Sequence, residues 1–194
     1  VIHSTSKYLS GGNNHGGGAI LFNKEHWKCS LERHHDQWGL DLSEPEIRIL
    51  EQNLKDFEER MVRFNLNGDK VAEFLKKHRK VEKVYHGSLV QKKERSPKWL
   101  SGFGSVVSFT LRSGDLESLR QFYDHLPAPL LKAPSLGSNQ TLVCPYALLA
   151  HYHEPSSFFE YHGISKHLIR LAVGCEHDLD PIIGALEEGL NQTL

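Results

Sequence analysis

Residues 3–12 read HSTSKYLSGG, and Gly16, Gly17 and Gly18 follow closely. Lys7 stands among Ser4, Thr5, Ser6 and Tyr8 rather than among charges. It comes after Val1–His3, which reads as the exit of a strand, and ahead of glycines that permit close backbone approach. A lysine on a solvated loop ordinarily has charged neighbours. One set among neutral hydroxyls at a strand end can be desolvated, which lowers its pKa and frees the amine to attack a carbonyl. Adjacent hydroxyls can donate to a phosphate and orient it. The two capacities together suit a cofactor that bears both an aldehyde and a phosphate. Taken alone, the same lysine also fits a structural role.

Outward from this stretch, Gly18–Asn23 reads as a short apolar strand. Ser43 and Glu46 have the spacing of a capping box, with Leu42 and Ile47 placed as a hydrophobic staple. Pro45 fits a first turn, where its missing N–H costs nothing. Ile47, Leu50, Leu54, Phe57, Met61 and Phe64 recur at helical spacing, which predicts one long helix from Ser43. Gly68 after Asn67 reads as its stop, with a second helix over 69–78 presenting Val71, Phe74 and Leu75. Strands are expected at 81–85, 106–111, 130–132 and 168–173, and helices at 116–126 and 179–190. Residues 90–98 are charged and polar and read as a solvated loop. Strands that alternate with helices mean α/β or α+β layers.

The chain has 194 residues, enough for a domain with a real core. With 23 Lys+Arg against 24 Asp+Glu, no charge excess directs it to nucleic acid or an anionic membrane. No apolar run approaches the length of a membrane span, and no signal peptide is evident, so a soluble cytoplasmic protein is expected. Cys29, Cys144 and Cys175 are odd in number and far apart, which argues against a disulfide framework or a structural zinc. Asn139-Gln140-Thr141 and Asn191-Gln192-Thr193 match the glycosylation pattern by chance on this reading.

The run from Gly11 to Gly18 has neither phosphate-loop form, and a flexible turn suits it better. Of the 13 histidines, His34-His35 and His151–His153 are the densest, yet neither has the helical spacing of a zinc site, so no metal is expected. Hydroxyls, histidines and acids are plentiful, but no G-x-S-x-G elbow singles out a serine nucleophile.

Three later stretches follow Lys7 in a meaningful order: Gly102-Phe103-Gly104-Ser105 running into 106–109, Pro134-Ser135-Leu136-Gly137, and Ile169-Arg170-Leu171-Ala172-Val173-Gly174. With His3–Tyr8 they resemble, across nearly the whole chain, the pyridoxal-phosphate enzymes of cysteine and methionine metabolism. The resemblance implies that Lys7 holds pyridoxal 5'-phosphate as a Schiff base and then shuttles protons. It implies that Ser4 and Ser6 hold the cofactor phosphate. Arg170 would pair with the substrate α-carboxylate, which suits its planar fork, and Ser135 would hold the same carboxylate. Two departures stand out. The family's Gly-His-x-Asp reads Gly11-Gly12-Asn13-Asn14, and Gln140 stands where many members have a glutamate linked to the distal end of cystathionine-like substrates. The run from Ser135 to Tyr152 is most similar to the cystathionine γ-synthase branch, particularly its fungal-type members.

The expected fold is therefore α/β, the C-terminal part of a fold-type I pyridoxal-phosphate-dependent transferase. Residues 1–66 would be the end of the large cofactor domain with its linking helix, and 67–194 the small α+β domain. In the family this lysine lies near mid-chain. A preceding half is thus expected to supply the acid at the pyridine nitrogen, the ring-stacking aromatic and the phosphate donors crossing a dimer, and the 194 residues alone are expected to be inactive. The implied partners are small amino acids and further copies of the chain, as a dimer of dimers. The implied reaction is γ-replacement on an activated homoserine by cysteine. C–S bond elimination is the alternative within the class, and a truncated, non-catalytic association module the alternative outside it. Intact Lys7, Ser135 and Arg170 weigh against the last.

Overall fold

The computed structural model describes residues 1–90 and 100–193. The loop expected over 90–98 lies outside the described residues apart from Val90. The chain divides into two compact units, Val1–Phe57 and Glu58–Leu194.

In the first unit, strand β1 (Ile2–Ser4) pairs antiparallel with β2 (Gly18–Ile20), matching Ile2 with Ile20 and Ser4 with Gly18. Between them runs a wide helical turn, Thr5–Leu9. Helix α1 (Glu25–Trp38) follows, with no buried residue, and Gly39 closes it at φ 58°. That left-handed cap suits glycine. Helix α2 (Glu44–Leu54) begins at Ser43, as the capping pattern predicts. In the capping box a Glu46 carboxylate oxygen accepts from the Ser43 N–H at 2.8 Å and from its hydroxyl at 2.6 Å. These bonds hold the Glu46 carboxyl below the usual carboxylate range.

The long helix expected from Ser43 to Phe64 is in fact two. Helix α2 ends at Leu54, and α3 runs Phe57–Lys77 as one piece through the position expected to stop it. The apolar spacing continues unbroken across 55–56, so periodicity does not mark the break. Gly68 ends nothing. A Cβ there would overlap the Gly104 carbonyl oxygen and come within 2.9 Å of Ser105 Cα. Glycine is present because the helix and the lead-in to the strand at 106–111 touch backbone to backbone. The division at 57/58 thus falls in the first turn of α3, whereas 66/67 lies in mid-helix.

The second unit holds a five-stranded sheet built from β3 (Val81–Tyr85), β4 (Val106–Leu111), β5 (Leu131–Lys132), β6 (Leu142–Cys144) and β7 (Ile169–Ala172). Their order is β3-β4-β7-β6-β5, with β5 and β6 parallel and the other pairs antiparallel. Val107 pairs with Leu171, and Leu171 with Val143, while Ser108 pairs with Arg170, and Arg170 with Cys144. Because side chains alternate across the pleat, these two rows lie on opposite faces. The first row joins the core with Val71 and Leu75 of α3, Leu119 and Phe122 of α4 (Leu116–Asp124), and Ile182 and Leu186 of α7 (Asp180–Asn191). Phe109 and Phe122 meet edge to face at 5.7 Å. The second row faces away from that core. Two further helices, α5 (Tyr146–Ala150) and α6 (Ser156–His162), follow β6. No helix among the described residues is long and apolar enough to cross a membrane.

Candidate active site

Lys7 sits in the Thr5–Leu9 turn with φ −98° and ψ −126°, a non-helical kink inside the helical turn. The Gly11 N–H donates to its carbonyl at 2.9 Å. The flanking hydroxyls Ser4 Oγ and Ser6 Oγ are 2.7 Å apart. Thr5, between them, turns inward and is 2% exposed. Its N–H donates to Gly17 O at 3.0 Å, and its Oγ1 lies 2.9 Å from Nε2 of buried His15. Alternation thus presents Ser4 and Ser6 together and uses Thr5 as the anchor.

The glycines matter here for a definable reason. A Cβ on Gly17 would lie 2.8 Å from Thr5 Oγ1 and 2.9 Å from Leu42 Cδ2, and its φ of +153° is one that side chains rarely adopt. The segment after Lys7 can therefore close over Thr5 only with glycine at this position. Asn13 has φ 49°, a left-handed conformation that asparagine tolerates. Asn14, where the family's aspartate is expected, accepts from Ser10 Oγ at 2.9 Å and from Asn53 Nδ2 of α2 at 3.1 Å. An amide oxygen thus does the accepting of a carboxylate without its charge.

In the second unit, Arg170 projects from β7 on the face away from the core. Its Nη2 donates to Ser135 O at 3.0 Å and also to Pro134 O. Its Cζ stands 4.6 Å from the centroid of the Tyr146 ring, and its Nε is buried without a hydrogen-bond partner among the described residues. The Ser135–Gly137 turn, with Gly137 at φ 72°, is thereby tied to Arg170 through main-chain oxygens. It is also strapped to the end of β7. Gly174 N–H donates to Thr141 Oγ1 at 2.9 Å, and Cys175 N–H to Asn139 O at 3.0 Å. Gln140 is exposed, its N–H donating to Ser138 Oγ at 3.2 Å. Burial pushes the Cys144 thiol up, and the neighbouring Arg170 opposes that in part.

The structure brings Ser4, Ser6 and Lys7 together in one unit, and Ser135 and Arg170 together in the other. Sequence reasoning missed His15 and Asn14, the first counted only among many histidines, the second noted only as a departure. It also missed Cys144 and Tyr146, whose proximity to Arg170 comes from strand register. Among the described residues no group of three His, Cys, Asp or Glu is placed to hold a metal ion.

The donor set around Lys7 fits an aldehyde-bearing phosphate ester: one primary amine beside two hydroxyls 2.7 Å apart, on a buried anchor. Such a set suits pyridoxal phosphate. The family model of the Cys/Met metabolism PLP-dependent enzymes matches residues 1–191, and the chain belongs to that family.

Individual relatives agree. The L-methionine gamma-lyase of Fusobacterium nucleatum subsp. polymorphum is 34% identical over 195 residues, covering 99% of this chain and 49% of its own. The cystathionine gamma-synthase of Neurospora crassa is 33% identical over 181 residues, covering 91% and 28%. The crystal structure of cystathionine gamma-lyase from Lactobacillus plantarum, complexed with L-serine, superposes with a TM-score of 0.89 at 29% identity, covering 100% of this chain and 50% of that one. The chain spans half or less of the length of these relatives. Whole-chain identity does not separate the synthase from the lyases, so the branch suggested by residues 135–152 gains nothing from it.

Proposed function

We propose that this chain forms part of an enzyme that makes cystathionine from an activated homoserine ester and cysteine by γ-replacement. The supporting observation is the paired Ser4 and Ser6 hydroxyls beside kinked Lys7, together with similarity to a cystathionine gamma-synthase. Lys7 would hold the pyridoxal phosphate covalently, and Ser4 and Ser6 would donate to its phosphate. When bound, the cofactor supplies an electron sink for negative charge at the substrate Cα. The Lys7 amine then takes the proton from Cα and moves protons at Cβ. Arg170 would bind the α-carboxylate through its fork, oriented by the Pro134 and Ser135 carbonyls. Ser135 would help to seat the same carboxylate.

Residues 1–66 would serve as the end of a cofactor domain and 67–194 as a small substrate-facing domain. Turnover would require the portion of the relatives' length that these residues do not span, and assembly with further copies. A second reading, elimination across a C–S bond, is favoured by the 34% identity to a methionine gamma-lyase over 99% of the chain. Product analysis separates the two. Cystathionine formed from O-acylhomoserine plus cysteine supports replacement, and ammonia with a 2-oxo acid from a single thioether amino acid supports elimination. Neither product would remove both readings.

A further inference from the structure

We infer that Tyr146 is a positioning residue for the substrate carboxylate: its ring backs the Arg170 guanidinium and sets the plane of the fork. The inference rests on the reading of Arg170 as the carboxylate receptor. Cys144 is the in-register neighbour of Arg170 across β6 and β7, and Tyr146 comes two residues later, at the start of α5. The sheet therefore delivers the ring to the guanidinium, with Cζ 4.6 Å from the ring centroid. A flat aromatic face attracts a flat cation and opposes rotation out of parallel.

The other partners of Arg170 are neutral. Nη2 donates to two backbone carbonyls, which satisfy hydrogen bonds but not charge. Burial pushes the Cys144 thiol up, against the pull of Arg170, which disfavours a thiolate counter-charge there. The Nε–H is buried and has no acceptor among the described residues. A charged fork with a desolvated, unpaired donor is suited to an incoming anion. The ring supplies orientation without consuming any of the five N–H donors. The ring also meets His151 edge to face at 6.2 Å, so it is itself held. The phenol hydroxyl plays no part in this geometry, so phenylalanine should substitute.

The test is equilibrium binding to the holoenzyme of L-norleucine, which has no leaving group, and of n-pentylamine, the same skeleton without the carboxylate. Tyr146→Leu should weaken L-norleucine about three- to tenfold, the range expected for a cation–π contact, and leave n-pentylamine unchanged. Tyr146→Phe should bind both like the unaltered protein. Equal weakening of both ligands in Tyr146→Leu, or no weakening of L-norleucine, overturns the inference. Arg170→Lys separates the two readings. If it weakens L-norleucine while Tyr146→Leu does not, only the role of Tyr146 falls. If it leaves L-norleucine unchanged, the carboxylate assignment of Arg170 falls, and the Tyr146 inference with it.

Discussion

Replacing Gly68 by alanine sets two effects of opposite sign against each other. In an open helix the change stabilises by about 1 kcal/mol, because glycine loses more backbone entropy and alanine is the best helix former. At Gly68 the new methyl would overlap Gly104 O, lie 2.9 Å from Ser105 Cα and 3.3 Å from Gly104 C. All three are backbone atoms, so no side-chain rotation relieves the contact. Helix and strand lead-in must separate, and overpacking of this kind costs roughly 1–3 kcal/mol. Separation also strains the bond from Gly104 N–H to Asn65 Oδ1, now 2.7 Å, which adds about 0.5–1.5 kcal/mol if it is lost. With that bond lost the contact wins, and Gly68→Ala should destabilise by roughly 0.5–3.5 kcal/mol net. Gly184 is the control. It lies exposed in α7 with nothing within 4 Å of its would-be Cβ, so Gly184→Ala should stabilise by up to about 1 kcal/mol. Urea unfolding midpoints of both variants decide it. Stabilisation of the same size at both positions would refute the claim that α3 needs glycine for backbone contact.

Lys7→Ala should abolish covalent cofactor attachment, so the borohydride-reduced protein should show no cofactor adduct in its intact mass; a persisting adduct would assign the attachment elsewhere. Phe122→Ala empties a fully buried site facing Phe109 and should cost about 3–5 kcal/mol by denaturant unfolding, whereas a loss under 1 kcal/mol would contradict that packing. Asp115 caps α4, accepting from Ser118 N–H at 2.8 Å, and this bond holds its carboxyl below the ordinary value. A depressed folded-state pKa gives stability that is present above the unfolded-state value and lost as pH falls through the folded one. Asp115→Asn should therefore flatten the acid limb of the stability-pH curve; an unchanged limb would rule out this contribution.

Elements set by nearest neighbours in sequence could be read without coordinates. Strands 81–85 and 106–111 match β3 and β4 end to end, because β-branched and aromatic residues between turn signals specify a strand locally. Ser43 and Glu46 mark the start of α2 for the same reason. The grouping of Lys7 with Ser4 and Ser6 was also visible, since they fall within four consecutive residues. Tertiary structure decided the rest. Strand β6 has three residues, too few for a period, and is a strand only because β5 and β7 pair with it. Helix α1 has no buried residue, and its few apolar positions, Trp27, Leu31 and Trp38, are too sparse to mark a helix. Gly68 and Gly17 are required by contacts with Gly104 and Thr5 that no local rule supplies. The setting of Arg170 depends on register with Cys144 and on the approach of residues 134, 135 and 146 from elsewhere in the chain. Local propensity acts over a few residues, whereas pairing register and backbone-to-backbone contact exist only once distant segments have met.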